Sequence, residues 1–528
     1  MKKVTALLLV CLLLTGCGQK VVASVTDPTP EAPTQSPTVS SEAIDSSEYE
    51  SRFSSETRIT LSDNGITVDG GDETPSVYTS RDIVYYEDRD VYESGNPYGE
   101  GETWEKHTAQ EADAHIVVNI TTPGAYRLSG TLSAGQIRVD LGEDAEADPE
   151  AVVELILDGA DITCTVAPAI VFRSVYECAG DASEDTASAQ ADTSAAGASL
   201  ILTGENTVTG SHVARIYQDN DKEKKLIKQD GAIYSYMSMN VFGPGALLLT
   251  ADNEGLDTEM HLTIQGGDIT IRSGNDGINT NEDNVSVTTI NGGSLHITAG
   301  LSGEGDGIDS NGYLVVNGGH VTALAHPASD SGLDSSCGTY VNGGTVIALG
   351  AAMDRADGAS GQVTLNLQFA QDQSGSLAVE QEDGTVIFSY DPASEEDQRQ
   401  YQGAILSCPE LTQGETYHIY ANGVLLGYSS TQGDRGFGGF HPGAGPEEQP
   451  PEGLDGQRPE KPKDREQPKD LPDGGHPDMS GGNPPMPDDF PKEGTDFQEA
   501  PHEAAVLSTE FTLTDRVGSF FGLAPAEE

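Results

Sequence analysis

The chain has 528 residues, with 86 acidic against 27 basic side chains and a formal net charge of −59. That balance excludes nucleic acid as a partner, because phosphate binding runs on Lys and Arg, and it makes an anionic ligand difficult without a bridging cation. A chain this acidic is either disordered over much of its length or neutralised by bound metal.

Lys2 and Lys3 precede an apolar run from Val4 to Leu14 that is too short to span a bilayer. The run ends in Leu14-Thr15-Gly16-Cys17, the pattern of a bacterial lipoprotein leader. Residues 1–16 are therefore expected to be a signal peptide whose removal leaves Cys17 lipidated. The mature protein would sit outside the cytoplasm, at the cell surface, touching the cell membrane through its lipid anchor only. Residues 17–55, rich in Ser, Thr and Pro, read as a flexible stalk. Cys164, Cys178, Cys337 and Cys408 show no metal spacing, although Cys164 and Cys178 could pair outside the cell.

Residues 56–115 read as an N-terminal β segment carrying a Tyr- and acid-rich insertion, with Tyr78, Tyr85, Tyr86, Tyr92, Tyr98 and Trp104. Residues 116–353 are a run of Gly- and Asn-punctuated β segments with an internal repeat. Gly-Gly pairs stand at 266–267, 292–293, 318–319 and 343–344, spaced 26, 26 and 25 residues apart. Ile264, Ile290, Val316 and Val341 precede them, and Ile269, Leu295, Val321 and Val346 follow in alternation with polar residues, the period of strands with one buried face. Such a period fits one coil of a parallel β-helix, right-handed as other parallel crossovers are. The Leu-x-x-Leu-x-Leu frame of leucine-rich repeats is absent, and the period excludes a nine-residue calcium roll. Asn291-Gly292, Asn317-Gly318 and Asn342-Gly343 place residues that tolerate positive φ at the same bend.

A second motif, acid or amide-x-Gly-Ile/Leu-Asp/Asn, recurs at Asn253 to Asp257, Asn275 to Asn279, Gly305 to Asp309 and Asp330 to Asp334. Its Ile or Leu should point inward and its flanking acids outward. Stacking would put Asp257, Asn279, Asp309 and Asp334 in one column about 4.8 Å apart, where neighbouring carboxylates repel by roughly 1 kcal/mol even in water. From Gln229 to Met353 there are fourteen acids and one basic residue, Arg272, so salt bridges cannot relieve the column. Calcium can, because it takes six to eight oxygens. The expected ligands are Asn253, Asp257, Asp276, Asn279, Glu282, Asp283, Asp306, Asp309, Asp330 and Asp334, densest between Asn275 and Asp283.

Residues 354–428 are expected to form a C-terminal β cap, with strands at Leu365-Asn366-Leu367 and Tyr417-His418-Ile419-Tyr420. A Gly-, Pro- and acid-rich tail covers 429–505, and 506–528 hold a last strand and tail.

The run from Ile116 to Tyr420 resembles the calcium- and carbohydrate-binding β-helix lipoproteins known as cellulose- and polygalacturonate-binding proteins of cellulolytic clostridia, akin in fold to pectate lyases. The resemblance rests on the segments 123–130 (PGAYRLSG), 155–162 (LILDGADI) and 229–235 (QDGAIYS), and on the two repeat motifs. It implies a polysaccharide ligand, pectin-like or cellulosic; the protein is expected to be a monomeric, non-catalytic binder. The alternatives are a surface adhesin or scaffold and a calcium-dependent lyase. A lyase needs a basic residue beside the calcium; Arg272 reads as a solvated strand residue and Lys222, Lys224, Lys225 and Lys228 as a charged loop. A hydrolase needs a matched acid pair, and the polygalacturonase motifs are absent. No catalytic residue is expected. His261, His296, His320 and His326 share no register.

Overall fold

A computed structural model describes residues 50–87, 104–180, 182–220, 223–351, 354–392, 394, 397–431 and 507–526. The leader, Cys17, most of the stalk, Tyr92, Tyr98, Lys222 and the tail from 432 to 506 lie outside the described residues. The described chain is nearly all β. Its α-helix, Ala109–Ala114, opens on a capping box in which Thr108 and Glu111 each accept the other's backbone N–H.

From Gly231 onward each passage of the chain lays one short strand on each of three parallel ladders. In the first, Gly231–Ser235, Glu254–Thr258, Ile278–Thr280 and Ile308–Ser310 pair in turn. The second runs through Met239–Phe242, Leu262–Ile264, Val287–Ile290, Tyr313–Val316 and Gly338–Val341. The third runs through Ala246–Ala251, Asp268–Ser273, Ser294–Thr298, His320–Leu324 and Thr345–Gly350. Ile264, Ile290, Val316 and Val341 are successive register partners, each at most 1% exposed. Burying a branched side chain of that size is worth about 1.5–3 kcal/mol, so the repeat's apolar positions form a continuous core. His296 and His320 pair with different neighbours, Thr322 and Ser294.

Glycine sets the corners. The second Gly of each pair, not the Asn before it, takes the positive φ: 106° at Gly267, 86° at Gly293, 81° at Gly319 and 84° at Gly344. The asparagines instead form a side-chain ladder, Asn342 donating to Asn317 and Asn317 to Asn291, each at 2.9 Å. The Gly of the acidic motif is needed for a different reason. A Cβ on Gly277 would meet Ile297 Cγ2 at 2.2 Å and the Gly307 carbonyl at 2.5 Å.

Glu56–Ser62 pairs parallel with Gly124–Leu132 at the start of the stack. At the other end, Gln400–Ser407 pairs antiparallel with Thr345–Gly350 and with Thr364–Ser374 over a separate apolar cluster. Val517–Pro525 then runs parallel beside Thr364–Ser374, and Tyr428, Phe511 and Phe520 meet with ring centroids 4.9–5.1 Å apart. The last strand, set apart from the cap in the sequence reading, is thus part of it. Without it, Thr364–Ser374 would expose an unpaired edge.

Candidate metal centre

The acidic motif lies on the first ladder. Asp257 pairs with Asn279, Asn279 with Asp309, and a bridge from Ile308 to Leu333 carries the register on to Asp334. The column exists, but it does not face solvent as alternation along the strand suggests. Asp257 is fully buried, Asn279 and Asp276 nearly so, and Asp306, Asp309 and Asp334 are half-buried. The cover comes from Asn281, whose Nδ2 donates to Asp257 Oδ1 at 2.6 Å, and from Lys228, whose Nζ lies 2.5 Å from Asp230 Oδ2 and 3.4 Å from Asn281 Oδ1. Lys228 is therefore no solvated loop residue. It sits on Glu223–Gln229, paired with Val213–Asn220 as a hairpin.

Two acids outside the expected set complete the cluster. Carboxylate oxygens of Asp230, Glu254 and Asp257 lie within 4.8 Å of one another. Glu254 Oε1 accepts from Asn279 Nδ2 at 3.2 Å, while Glu254 Oε2, Asp257 Oδ2 and Asn279 Oδ1 are buried with no partner. A neutral buried acceptor left so costs about 1–3 kcal/mol, and a charged one more. Glu254 was visible inside the first motif copy, and its register partner Gly231 follows Asp230, so column position carried the signal for both.

Burial, and then the Glu254 charge, pushes the Asp257 carboxyl far above its ordinary range. Burial followed by Glu254 and Asp306 does the same to Asp276. Burial and Asp334 push Asp306 up to about 8 and Asp309 to about 7. Burial and the neighbouring Asp334 push Asp354, another acid absent from the expected set, to about 8. One ammonium among so many carboxylates leaves a large surplus of negative charge. An all-oxygen set of carboxylates and amides is the donor chemistry of a hard cation.

Other expected ligands stand apart. Glu282 and Asp283 are exposed, because the extra residues of that repeat bulge out as a turn that Asn284 closes at φ 59°. Asn253 is turned to the Asp230 carbonyl at 3.1 Å. Asp330 Oδ2 is occupied at the margin by Gly305 N at 2.8 Å and Ser329 Oγ at 2.7 Å. Arg272 is half-buried on its strand. Cys164 and Cys178 are unpaired. Tyr234 and Tyr86 are core residues, whereas Trp104 is 78% exposed.

One further cluster was missed by sequence. His212 is buried, with Nε2 2.9 Å from Glu105 Oε1 and Nδ1 3.1 Å from Asp252 Oδ1. It ties the segment after the acid-rich insertion to the corner just before Glu254.

Residues 114–386 match the family model described as "Carbohydrate-binding domain-containing protein". The chain belongs to that family. A carbohydrate-binding domain-containing protein of Acetivibrio thermocellus is 31% identical over 157 residues, which is 30% of this chain and 45% of that protein. The chain thus spans less than half the length of that relative. A solved structure described as the polysaccharide lyase-like protein from C. thermocellum, gadolinium derivative, aligns with 23% identity and a TM-score of 0.33 over 55% of this chain and 93% of that one. As a member of the family, this chain keeps its densest acidic cluster inside the matched region.

Proposed function

We propose that this protein is a non-catalytic polysaccharide-binding lipoprotein, anchored outside the cytoplasm through Cys17, whose three ladders are the faces of a right-handed parallel β-helix held together by calcium. Family membership supports the carbohydrate ligand. The observation that carries calcium is the trio of buried, unpartnered oxygens on Glu254, Asp257 and Asn279 beside Asp230. Those residues, with Asp276, Asp306 and Asp309 further along, would hold the ion. It would supply the positive charge that lets the coils stack. Because Asp257 is fully buried, an ion there acts on the fold and is not open to a sugar.

Lys228 gives the lyase reading its one structural argument, a basic group beside the acidic column. Its ammonium is engaged by Asp230 and Asn281 instead of facing a free cleft, which favours binding. The test is retention of the mature protein on pectin, polygalacturonate and cellulose with calcium and with chelator, beside an assay for unsaturated or reducing ends. Calcium-dependent retention without released ends is expected. Unsaturated ends would establish the lyase, reducing ends alone a hydrolase, and a folded, calcium-loaded protein that binds no glycan would leave the adhesin reading.

A further inference from the structure

The buried acidic column leaves the sugar's own contact surface to be found, and a cleft of about 470 Å³ on the second ladder supplies one. That volume lies within the range of small-ligand sites. Its floor is a row of polar side chains on four neighbouring strands in register: Ser199, Asn240, Thr263 and Thr289. All four are buried. Thr193 seats the wall on this floor, its Oγ1 lying 2.7 Å from both Asn240 Oδ1 and Thr263 Oγ1, while Asn240 Nδ2 donates to the Thr193 carbonyl at 2.7 Å. The floor is thus preorganised and paired internally, and the open part of the cleft lies over Gln265 and Asn291, both exposed.

Two features decide what fits there. The first is hydrogen-bonding polarity. In the asparagine ladder Asn342 donates to Asn317 and Asn317 to Asn291, so the chain of amides ends at the cleft on Asn291. Its backbone N–H donates to the Ile264 carbonyl at 2.8 Å, and among the described residues its side-chain Nδ2 has no acceptor. Chains of such bonds polarise one another, and Gln265 and Asn291, each just past the register partners Ile264 and Ile290, set two side-chain amides at the strand spacing of about 4.8 Å. That is close to the length of one pyranose in an extended glycan laid across the strands.

The second is charge. The rim carries Glu50 and Asp192, both exposed. Its cation, Arg52, also lines the cleft and donates to the carbonyls of Ser194 and Ala195. With two acids against one guanidinium, the rim carries a net negative charge that disfavours a uronate carboxylate, whereas an uncharged, hydroxyl-rich chain meets no such repulsion. Half-exposed Phe242 adds an apolar edge on which a sugar ring can rest.

We infer that this cleft is a subsite for a neutral glycan chain, separate from the acidic column and needing no bridging ion. The inference rests on the carbohydrate-binding reading and gives it a place and a ligand class. The test is calorimetric titration of the mature protein, calcium-loaded throughout, with a neutral β-1,4-linked glucose hexamer and with an oligogalacturonate of equal length. Wild type, Gln265→Ala/Asn291→Ala and Asp192→Lys are compared, with melting curves to confirm folding. The double variant should bind the neutral hexamer roughly ten-fold more weakly, as expected for two lost hydrogen bonds, with retention on polygalacturonate unchanged. Asp192→Lys should shift preference toward the oligogalacturonate. Equal binding of the hexamer by wild type and double variant would overturn the cleft assignment, as would failure to bind the hexamer while polygalacturonate is retained. Failure to bind any glycan would take down the carbohydrate-binding reading and this inference together.

Discussion

Lys228 Nζ lies 2.5 Å from Asp230 Oδ2, so an ammonium occupies the edge of a cluster in which Glu254 Oε2 and Asp257 Oδ2 have no partner among the described residues. A monovalent charge there offsets part of the repulsion and competes for Asp230 with any divalent ion. Lys228→Gln should therefore lower the melting temperature in chelator and lower it less or not at all in calcium, while tightening calcium binding. Calorimetric titration of both proteins checks this; a weaker calcium affinity in the variant would show that Lys228 assists the ion instead of competing with it.

Calcium at a hundred times its dissociation constant should add about 2.7 kcal/mol of stability through linkage. Asp257→Asn should abolish most of that gain, yet be the more stable protein in chelator at high pH, because it spares the cost of ionising a fully buried carboxyl that has one unpartnered oxygen. Asp283→Ala, exposed in the bulge, should leave both values alone. Melting curves of the two variants with and without calcium separate the buried column from the surface acids, and identical behaviour would remove the column as the ion's site.

The stacking was legible in the sequence because Ile264, Ile290, Val316 and Val341 recur with a fixed offset from each Gly-Gly pair, and offset becomes register in a parallel ladder. The same arithmetic aligned Asp257, Asn279 and Asp309. It could not give their burial, because Asn281 and Lys228 cover Asp257 from outside the motif. It misplaced Glu282 and Asp283 because inserted residues have no register to inherit. His212 lies 107 residues from Glu105 and 40 from Asp252, outside the repeats, so no periodicity pointed to it. In the cleft floor only Thr263 and Thr289 share the repeat's offset; Ser199 and Asn240 belong to strands before the regular repeat, so periodicity did not point to the row.

The motif glycines make a sharp test of backbone packing. Gly277→Ala would place a methyl 2.2 Å from Ile297 Cγ2 and should destabilise by roughly 1–3 kcal/mol or more. Gly303→Ala, with nothing within 4 Å, should change stability little. Chemical denaturation of both proteins measures this, and a small effect at Gly277 would mean that neighbouring strands are not held in this register.

In chelator, stability should fall as pH rises. Asp306 and Asp309 have carboxyls pushed up by burial and by Asp334 to about 8 and about 7, from an ordinary value of 3.8. A raised folded-state value means that the folded form holds the proton more tightly, so the contribution is complete below about pH 4 and is lost through about pH 7–8. Calcium should reverse the slope, since it binds the deprotonated oxygens and its affinity rises over the same interval. Melting temperatures from pH 4 to 9 with and without calcium should cross, and parallel curves would argue against these carboxyls as ligands.

His212 should give the opposite test, independent of metal. Burial alone would lower its imidazole, but hydrogen bonds to Asp252 and Glu105, and then their charges, hold it up to about 9 from 6.5. The protonated ring is the form that bridges the two acids. Its contribution is complete below about pH 6.5 and is lost as the pH passes 9. With Asp252 half exposed, solvent screening reduces that contribution to on the order of 2 kcal/mol. His212→Gln keeps size and one hydrogen bond but cannot carry the charge, so it should lose stability at pH 7 and show no further loss between pH 8 and 10, where the wild type declines. Glu105→Gln should give a smaller loss and shift that decline to lower pH, because one of the two charges that favour imidazolium is gone. Hydrogen exchange at Thr108 and Ala112 reads the local consequence: the segment joined to His212 through Glu105 should exchange faster in either variant at pH 7. Unchanged exchange there would mean that the Glu105–His212–Asp252 bridge does not fasten the segment to the stack.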